Sequence, residues 1–231
     1  MLSRVLEPEV MDSEADAREY DAMDHSAVNA VFVADLLSAL GGGKYGLLRV
    51  LDLGAGTAQI PIELCRRHPT AHVVAVDAAA SMLAIAEKNI AAAGFSDRIE
   101  TVLADAKELA ATRGGAHLFA SSSFAAVISN SILHHVPAPR EVIAEAVRVT
   151  TPGGLLFHRD LARPNDEAEL QHLVDTYAAG TTDYQRKLFA DSLRAALTLD
   201  EMRELVADFG FEPETVRMTS DRHWTWVATT N

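Results

Sequence analysis

The chain has 231 residues, of which 48% are hydrophobic, and this length and composition suit one globular domain and exclude a disordered chain. The formal net charge of −13 disfavours a nucleic-acid-binding protein, because such proteins need a basic face to neutralise phosphates. No apolar run reaches the roughly 18 residues that a membrane helix requires, and the single cysteine, Cys65, fits a reducing compartment, so we expect a cytoplasmic protein.

Residues 1–47 are predicted to form an N-terminal helical cap. Ser13 and Asp16 are possible starts of a helix. Apolar residues then recur at helical spacing, at Val28, Val31, Phe32, Ala34, Leu36 and Leu37. The run Gly41-Gly42-Gly43 is predicted to end this helix and to link it to the rest of the chain.

The most informative segment follows at residues 50–58, with the sequence VLDLGAGTA. A β-branched and leucine-rich run that ends in glycines predicts a buried parallel strand and a sharp turn into a helix. Gly54 and Gly56 lack Cβ atoms, so the backbone of the turn can lie against a ligand. The next apolar run ends in Asp77, a carboxylate that can accept hydrogen bonds from two ribose hydroxyls. Together these features predict a nucleoside pocket at the carboxyl edge of the sheet.

Helices and strands are predicted to alternate from residue 48 to residue 160, which is typical of a doubly wound α/β fold with a parallel sheet and helices on both faces. Strands are expected near residues 48–53, 72–77, 99–104, 124–129 and 154–160. Helices are expected near residues 57–67, 80–93 and 138–150. Residues 161–197 show helical spacing only, and are followed by a core helix near 198–209 and a closing hairpin, Phe211 to Met218 and Trp224 to Thr229.

Four segments in this order resemble the class I S-adenosylmethionine-dependent methyltransferases. Gly54, Gly56 and Ala58 meet the family's G-x-G-x-G spacing. The other three segments are Asp105-Ala106 after the third strand, the Asn-x-x-Leu-His pattern from Asn130 to His134, and the turn Pro152-Gly153-Gly154 before the fifth strand. A dinucleotide site would need a small residue where Gln59 stands, so NAD is disfavoured.

The resemblance implies a mostly parallel seven-stranded sheet of order 3-2-1-4-5-7-6. Residues 48–231 would form the methyltransferase domain, with residues 161–197 as a helical lid insertion. S-adenosyl-L-methionine is the implied cofactor, with the glycine turn beneath its amino-acid half, Asp77 at the ribose and Asp105 at the adenine amine. The residues expected at the cofactor are Asp52, Gly54, Ala55, Gly56, Asp77, Ala78, Met82, Asp105, Ala106, Asn130 and Tyr20.

The methyl acceptor is predicted to be a small molecule. The negative charge disfavours nucleic acid. The loop after the fourth strand also lacks the Asn/Asp-Pro-Pro-Tyr sequence of DNA amino-methyltransferases and has Ser129-Asn130-Ser131-Ile132 in its place. An RNA or protein methyltransferase is the alternative. An alternative of another class is a non-catalytic sensor or interaction protein that binds S-adenosylmethionine. The oligomeric state is left open.

Three histidines are candidates for a general base, which a hydroxyl acceptor would require. His135 is preferred, followed by His134 and His158. The alternative for the adjacent pair His134 and His135 is that one of them packs inward as a structural imidazole. The residues predicted to bind the acceptor are Arg159, Asp160, Tyr177 and Tyr184.

No metal site is predicted, although a magnesium-assisted reaction is left open. None of the nine histidines forms a His-x-x-x-His pair beside an acid on one helix. His134 and His135 are adjacent, and their side chains would point apart in an extended loop.

Overall fold

A computed structural model describes residues 2–7, 12–41, 47–111 and 119–231, except for the side chains of Asp16 and Ala111. The predicted link at Gly42-Gly43 lies outside the described residues. None of the described helices is long and apolar enough to cross a membrane.

Seven strands form one sheet of order β3-β2-β1-β4-β5-β7-β6, which confirms the expected order. The strands are β1 (Leu48–Leu53), β2 (Ala71–Asp77), β3 (Ile99–Leu103), β4 (Phe124–Asn130), β5 (Thr150–Leu161), β6 (Val216–Met218) and β7 (His223–Thr229). β1 pairs in parallel with β2 and β4, and β2 pairs in parallel with β3. β6 and β7 are antiparallel. The apolar run of β1 is buried at nearly every position, as expected for a parallel strand covered on both faces.

The described residues contain eight α-helices. They are α1 (Glu14–Ala22), α2 (Ser26–Ala39), α3 (Gln59–Arg67), α4 (Ala80–Ala93), α5 (Pro139–Val149), α6 (Glu167–Tyr177), α7 (Asp183–Ala195) and α8 (Leu199–Ala207). The helices predicted after the first, second and fourth strands are therefore confirmed as α3, α4 and α5. The helical spacing after the fifth strand corresponds to α6 and α7.

The N-terminal region has two helices where one was predicted. The apolar helix α2 begins at Ser26, and Asp16 lies inside the separate helix α1. Val28 and Val31, predicted to share the apolar face, are 51% and 55% exposed. The buried face of α2 is narrower and follows the i, i+3, i+4, i+7 spacing of a helix that packs along one stripe, through Asn29, Phe32, Val33 and Leu36.

The fifth strand begins earlier than predicted. α5 ends at Val149 and β5 starts at Thr150, so Pro152-Gly153-Gly154 lies within the strand and is not a turn before it. Gly153 has a φ of +73°, and its N–H donates to the carbonyl of Thr230 at 2.8 Å. The predicted strand from Phe211 is also shorter, because Pro213–Thr215 forms a 3₁₀ turn before β6.

The chain divides into two compact units. The glycine-turn unit comprises the described residues of Val10–Asn130, Glu141–His158 and Val227–Asn231. Its core includes the buried side chains of Phe32, Leu36, Val50, Leu64, Val73, Ile128 and Phe157.

The insertion unit comprises Ser131–Arg140, Arg159–Trp226 and the described residues of Met1–Glu9. Its apolar cluster forms between α6, α7 and the end of β5, and includes Leu161, Leu170, Leu173, Val174 and Leu193. α7 and α8 both begin with a capping box, at Thr182 and Thr198. The threonine hydroxyl and the side chain three residues later satisfy free backbone N–H groups at each start.

Candidate functional site

A glycine turn connects β1 to α3 in the glycine-turn unit. Gly54, Gly56 and Ala58 all have left-handed φ values, of +70°, +54° and +63°. Glycine adopts this conformation without steric cost, whereas alanine does so rarely. The N–H groups of Gly54 and Ala55 donate to the carbonyl of Val76 at 2.8 and 2.9 Å, which holds the turn against the end of β2.

Asp77, the last residue of β2, lies beside this turn. Its Oδ2 accepts a hydrogen bond from the Gly56 N–H, and its Oδ1 accepts one from the Ala79 N–H, both at 2.8 Å. The carboxylate thus holds the turn. Contact of Asp77 with the ribose hydroxyls stays a prediction.

A cleft opens above the turn. It is lined by Tyr20, Asn29, Asp52, Gly54, Ala55, Thr57, Gln59, Ile60 and Asn130. Asp52 and Thr57 are each only 1% exposed. Within the described part of the chain, neither Asp52 Oδ2 nor Thr57 Oγ1 has a hydrogen-bond partner. Buried polar atoms in folded proteins are nearly always paired, so these two atoms fit a polar ligand that enters the cleft.

The charge at the cleft suits a cation. Burial, and then the neighbouring carboxylate of Asp77, raise the pKa of Asp52 well above its ordinary value. A positively charged ligand would offset both effects, since it favours the ionised form of a carboxyl group. S-adenosyl-L-methionine carries a sulfonium and an ammonium group, so the charge at the cleft suits this cofactor.

Tyr20 and the pair Asn29–Gln59 complete the cleft wall. A Cβ atom at Gly56 would lie 3.6 Å from Cε1 of the Tyr20 ring, so α1 brings this ring over the turn. Asn29 donates from Nδ2 to Gln59 Oε1 at 3.1 Å. Thr57, Asn29 and Gln59 were not among the predicted cofactor residues. The position of Thr57 inside the glycine motif was an available signal, whereas no spacing links Asn29 to Gln59.

Four other predicted cofactor residues do not line this cleft. Ala78 is exposed, and Ala106 is buried. Met82 is 8% exposed and packs on Ala17 and Ala79. The Asp105 carboxylate accepts a hydrogen bond from the Lys107 N–H at 2.8 Å and lies 3.3 Å from Lys107 Nζ. Cofactor contacts by these four residues stay predictions.

In the insertion unit, Asp160 holds the loop that carries two of the predicted catalytic histidines. Its Oδ1 lies 2.5 Å from His134 Nδ1 and accepts from the Leu161 N–H at 2.7 Å, and its Oδ2 accepts from the Leu133 N–H at 2.6 Å. Asp160 is 1% exposed. This carboxylate, predicted to bind the acceptor, is therefore engaged within the protein and positions His134.

The same contacts set the protonation of this pair. Burial lowers the pKa of His134, but the carboxylates of Asp160 and Glu7 outweigh it, and the net shift is upward. Burial acts to raise the pKa of Asp160, whereas the His134 imidazole lowers it, and the net shift is downward. Both shifts favour an ionised carboxylate beside the imidazole.

His134 and His135 meet at Glu7. His134 Nε2 lies 3.5 Å and His135 Nδ1 lies 3.0 Å from Glu7 Oε1. The two ring centroids are 4.1 Å apart. The expectation that these side chains point apart is therefore wrong. The loop is a turn, closed by the His135 N–H donating to the Ile132 carbonyl at 3.0 Å, so the alternation of an extended chain does not apply.

His158 and Arg159 are both buried. His158 has no exposed surface, and its Nδ1 lies 2.8 Å from Ser129 Oγ. A catalytic role of His158 stays a prediction. Arg159 is 9% exposed and donates from Nε to Thr225 Oγ1 at 2.8 Å.

The two tyrosines predicted to bind the acceptor lie on exposed surface. Tyr177 donates from its hydroxyl to Asp221 Oδ2 at 2.5 Å, and the Arg222 guanidinium lies 3.4 Å from the centre of its ring. Tyr184 is 51% exposed. Contact of either tyrosine with an acceptor stays a prediction.

Residues 50–154 match a protein family described as a methyltransferase domain. The ubiquinone/menaquinone biosynthesis C-methyltransferase UbiE of Roseobacter denitrificans is 28% identical over 175 residues, which are 71% of this chain and 66% of that protein. The 3-hydroxy-5-methyl-1-naphthoate 3-O-methyltransferase of Streptomyces sahachiroi is 32% identical over 164 residues, which are 65% of this chain and 43% of that protein. The chain thus spans two thirds or less of the length of these two relatives.

Solved structures share the fold. A SAM-dependent methyltransferase from Aquifex aeolicus superposes with a TM-score of 0.65 at 15% identity, covering 95% of this chain and 99% of that one. The plantazolicin methyltransferase BamL, solved in complex with SAH, superposes with a TM-score of 0.66 at 16% identity, and the match covers 88% of this chain and 70% of that one. With the sheet order and the glycine turn, the methyltransferase-domain match over residues 50–154 supports a class I S-adenosyl-L-methionine-dependent methyltransferase.

Proposed function

We propose that this chain transfers the methyl group of S-adenosyl-L-methionine to a small-molecule acceptor. The observation that carries this is the cleft at the glycine turn. There, Asp52 Oδ2 and Thr57 Oγ1 are buried and have no hydrogen-bond partner among the described residues. A ligand that pairs these two atoms would remove the free-energy cost of leaving them unsatisfied.

Four residues at or beside the cleft have a proposed task toward the cofactor. Asp52 and Thr57 would pair with the polar amino-acid half, and Asp77 would accept from the ribose hydroxyls. Tyr20 would cover the turn. The cofactor supplies an electrophilic methyl group on a cationic sulfur. The chain then has to align the acceptor and exclude water, which are the main demands of an in-line displacement.

The small-molecule acceptor is supported by charge and by the relatives. The net charge of −13 opposes binding to a polyanion. One relative is named for ubiquinone and menaquinone biosynthesis and another for a naphthoate. We therefore propose an acceptor with a ring system of this kind, methylated at carbon or oxygen.

His135 is the proposed base if the acceptor is a hydroxyl. Its side chain is 25% exposed, whereas that of His134 is 4% exposed and is bound to Asp160. A base contributes roughly 10²–10⁴-fold to the rate, so His135→Ala should lower turnover by about that factor and leave cofactor affinity nearly unchanged. Loss of cofactor binding would make His135 structural, and full activity would mean that alignment alone suffices.

The proposed domain organisation is an N-terminal helical cap, residues 1–47, on a methyltransferase domain, residues 48–231. Residues 161–197 are the proposed lid insertion. α1 and α2 supply the cap, and α6 and α7 supply the insertion. We also propose a cytoplasmic location, because a single cysteine, the free and buried Cys65, fits a reducing compartment.

A cofactor-release assay tests this function. The full chain is incubated with S-adenosyl-L-methionine and a panel of quinones, phenols, naphthoates and other metabolites, with bulk RNA and a protein extract as separate arms. We expect S-adenosylhomocysteine release with a small molecule only, with a methyl gain by mass spectrometry. Methylation of RNA or protein alone would contradict the acceptor class. Tight S-adenosylhomocysteine binding without turnover on any arm would favour the sensor alternative.

A further inference from the structure

We propose that Glu7, His134 and His135 form a binding site for a divalent transition-metal ion of the zinc type. The three side chains each bring one ligand atom, and these atoms all lie within 4.8 Å of one another. Two imidazole nitrogens and a carboxylate oxygen are a donor set that Zn²⁺ and its first-row neighbours bind. We call these three residues the His-His-Glu cluster.

His134 is already oriented as a metal ligand. Its Nδ1 is bound to the buried Asp160 carboxylate at 2.5 Å, which directs Nε2 toward Glu7. Metal-bound histidines commonly have this arrangement, in which a carboxylate fixes the ring and makes the ligating nitrogen more basic. Asp160 is held in turn by the N–H groups of Leu133 and Leu161. Asp160 is thus a positioning residue for the cluster.

Glu7 is held in place by a separate set of contacts. Ser192 donates to its Oε1 at 3.1 Å. The segment that carries Glu7 is anchored at Arg4, which donates from Nε to the Ala195 carbonyl at 2.6 Å and from its guanidinium to the Val136 carbonyl at 3.0 Å. The carboxylate and the two imidazoles are therefore brought together without the metal, and little reorganisation is needed to bind it.

The charges around the cluster favour a cation. Glu7 and Asp160 contribute two carboxylates, and the nearby Arg4 guanidinium offsets one of them. With both imidazoles neutral, one negative charge remains uncompensated in a largely buried place. A divalent ion would compensate this negative charge, and so would a proton on an imidazole. Zinc titration of the full chain distinguishes these two cases.

Three protein ligands leave at least one coordination position open, as in catalytic zinc sites. The side chains of His135 and Glu7 are 25% and 11% exposed, whereas the Nδ1 atom of His135 is itself buried. An oxygen donor of a small molecule or a water is the ligand expected there. A metal on His135 Nδ1 would exclude this imidazole as a free base, so the metal site and the proposed base are competing roles for one residue. The metal site does not depend on the proposed function.

Metal titration of the full chain, purified without a histidine tag and stripped with EDTA, tests the site. ZnCl₂ is titrated against a chromophoric chelator, and CoCl₂ binding is followed by visible absorption. We expect one equivalent of zinc with a Kd below about 1 µM. Glu7→Gln and His135→Ala should each weaken binding by about 100-fold or more, and Asp160→Asn by about 10–100-fold.

His172→Ala is the matched control, because it removes an exposed histidine of α6 in the same unit. This variant should bind zinc like the parent chain. The metal site is contradicted if the stripped protein binds no zinc, or if the Glu7→Gln/His135→Ala double variant binds as much as the parent. If the stripped protein binds no zinc, a proton compensates the charge of the cluster, and a chelator will leave the melting temperature of the protein unchanged.

Discussion

Burial of Asp52 on folding disfavours its ionised carboxylate, whereas binding of a cationic ligand would favour it. Its carboxyl group is 1% exposed, and its pKa is raised by burial and by Asp77. In the unfolded chain the same group has an ordinary value near 3.8. Between these two values the folded protein binds more protons than the unfolded chain, so the stability of the cofactor-free protein falls as pH rises through this window.

Asp52→Asn should therefore stabilise the cofactor-free protein at pH 7, because it removes a buried carboxylate that nothing neutralises. The gain in unfolding free energy should shrink as pH falls and vanish below about 3.8, where the parent carboxyl is protonated in both states. Urea denaturation at several pH values measures this. Glu100→Gln, at an exposed position of β3, is the control and should show no such gain. A variant less stable than the parent at pH 7 would contradict the interpretation.

We predict that Asp77 contributes to cofactor binding in two ways, by holding the glycine turn and by accepting hydrogen bonds from the ribose hydroxyls. Asp77→Ala removes the acceptor of the Gly56 and Ala79 N–H groups together with the proposed acceptor for the ribose hydroxyls. We expect S-adenosylhomocysteine binding to weaken by about 1–3 kcal/mol in calorimetry. Glu100→Ala removes one negative charge from the neighbouring strand and should leave affinity unchanged. If Asp77→Ala binds as tightly as the parent, Asp77 is not at the ribose.

Four residues that the sequence predicted at the cofactor lie together at one cleft, because strand ends are local features of the sequence. Asp52, Gly54 and Ala55 follow one apolar run, and Asn130 ends another, and all four line the cleft. The His-His-Glu cluster was not foreseen. Glu7 approaches the histidines through the contacts of Arg4 and Ser192, which join distant parts of the chain and leave no mark in local spacing.

Among the strands and helices, the Pro-Gly-Gly segment of β5 allows a direct test of close backbone packing. A Cβ atom on Gly154 would lie 2.6 Å from Thr150 Cγ2 and 2.8 Å from the Thr151 carbonyl oxygen. Gly154→Ala should therefore destabilise the protein by about 3 kcal/mol. Gly153→Ala is the control: nothing lies within 4 Å of its Cβ position, and only its positive φ adds strain, of about 1 kcal/mol.

Thermal and urea denaturation of the two glycine variants provide the measurement. Equal losses of stability for Gly153→Ala and Gly154→Ala would show that the backbone relaxes around the added methyl group and would contradict the close packing.

The periodicity of apolar residues in the sequence predicted most helices and strands, since this periodicity follows the pattern of burial. It did not predict the break between α1 and α2, because Met23-Asp24-His25 contains neither glycine nor proline.

For the whole molecule, we predict that the N-terminal helices and residues 161–197 form a mobile cover that closes when cofactor binds. Limited proteolysis with and without S-adenosylhomocysteine measures this. We expect slower cleavage in both segments when the ligand is present, and NAD at the same concentration should have no effect. Identical cleavage patterns with and without S-adenosylhomocysteine would count against closure.

Calorimetric titration of the full chain with S-adenosylhomocysteine, and then with NAD, decides whether the glycine-turn cleft is the cofactor site. Among the described residues, Asp52 Oδ2 and Thr57 Oγ1 have no hydrogen-bond partner in this cleft. Gln59 occupies the position at which a dinucleotide-binding turn needs a small residue. We predict one site for S-adenosylhomocysteine, weakened by Asp77→Ala, and poor binding of NAD. Binding of NAD without binding of S-adenosylhomocysteine would contradict the proposed cofactor site.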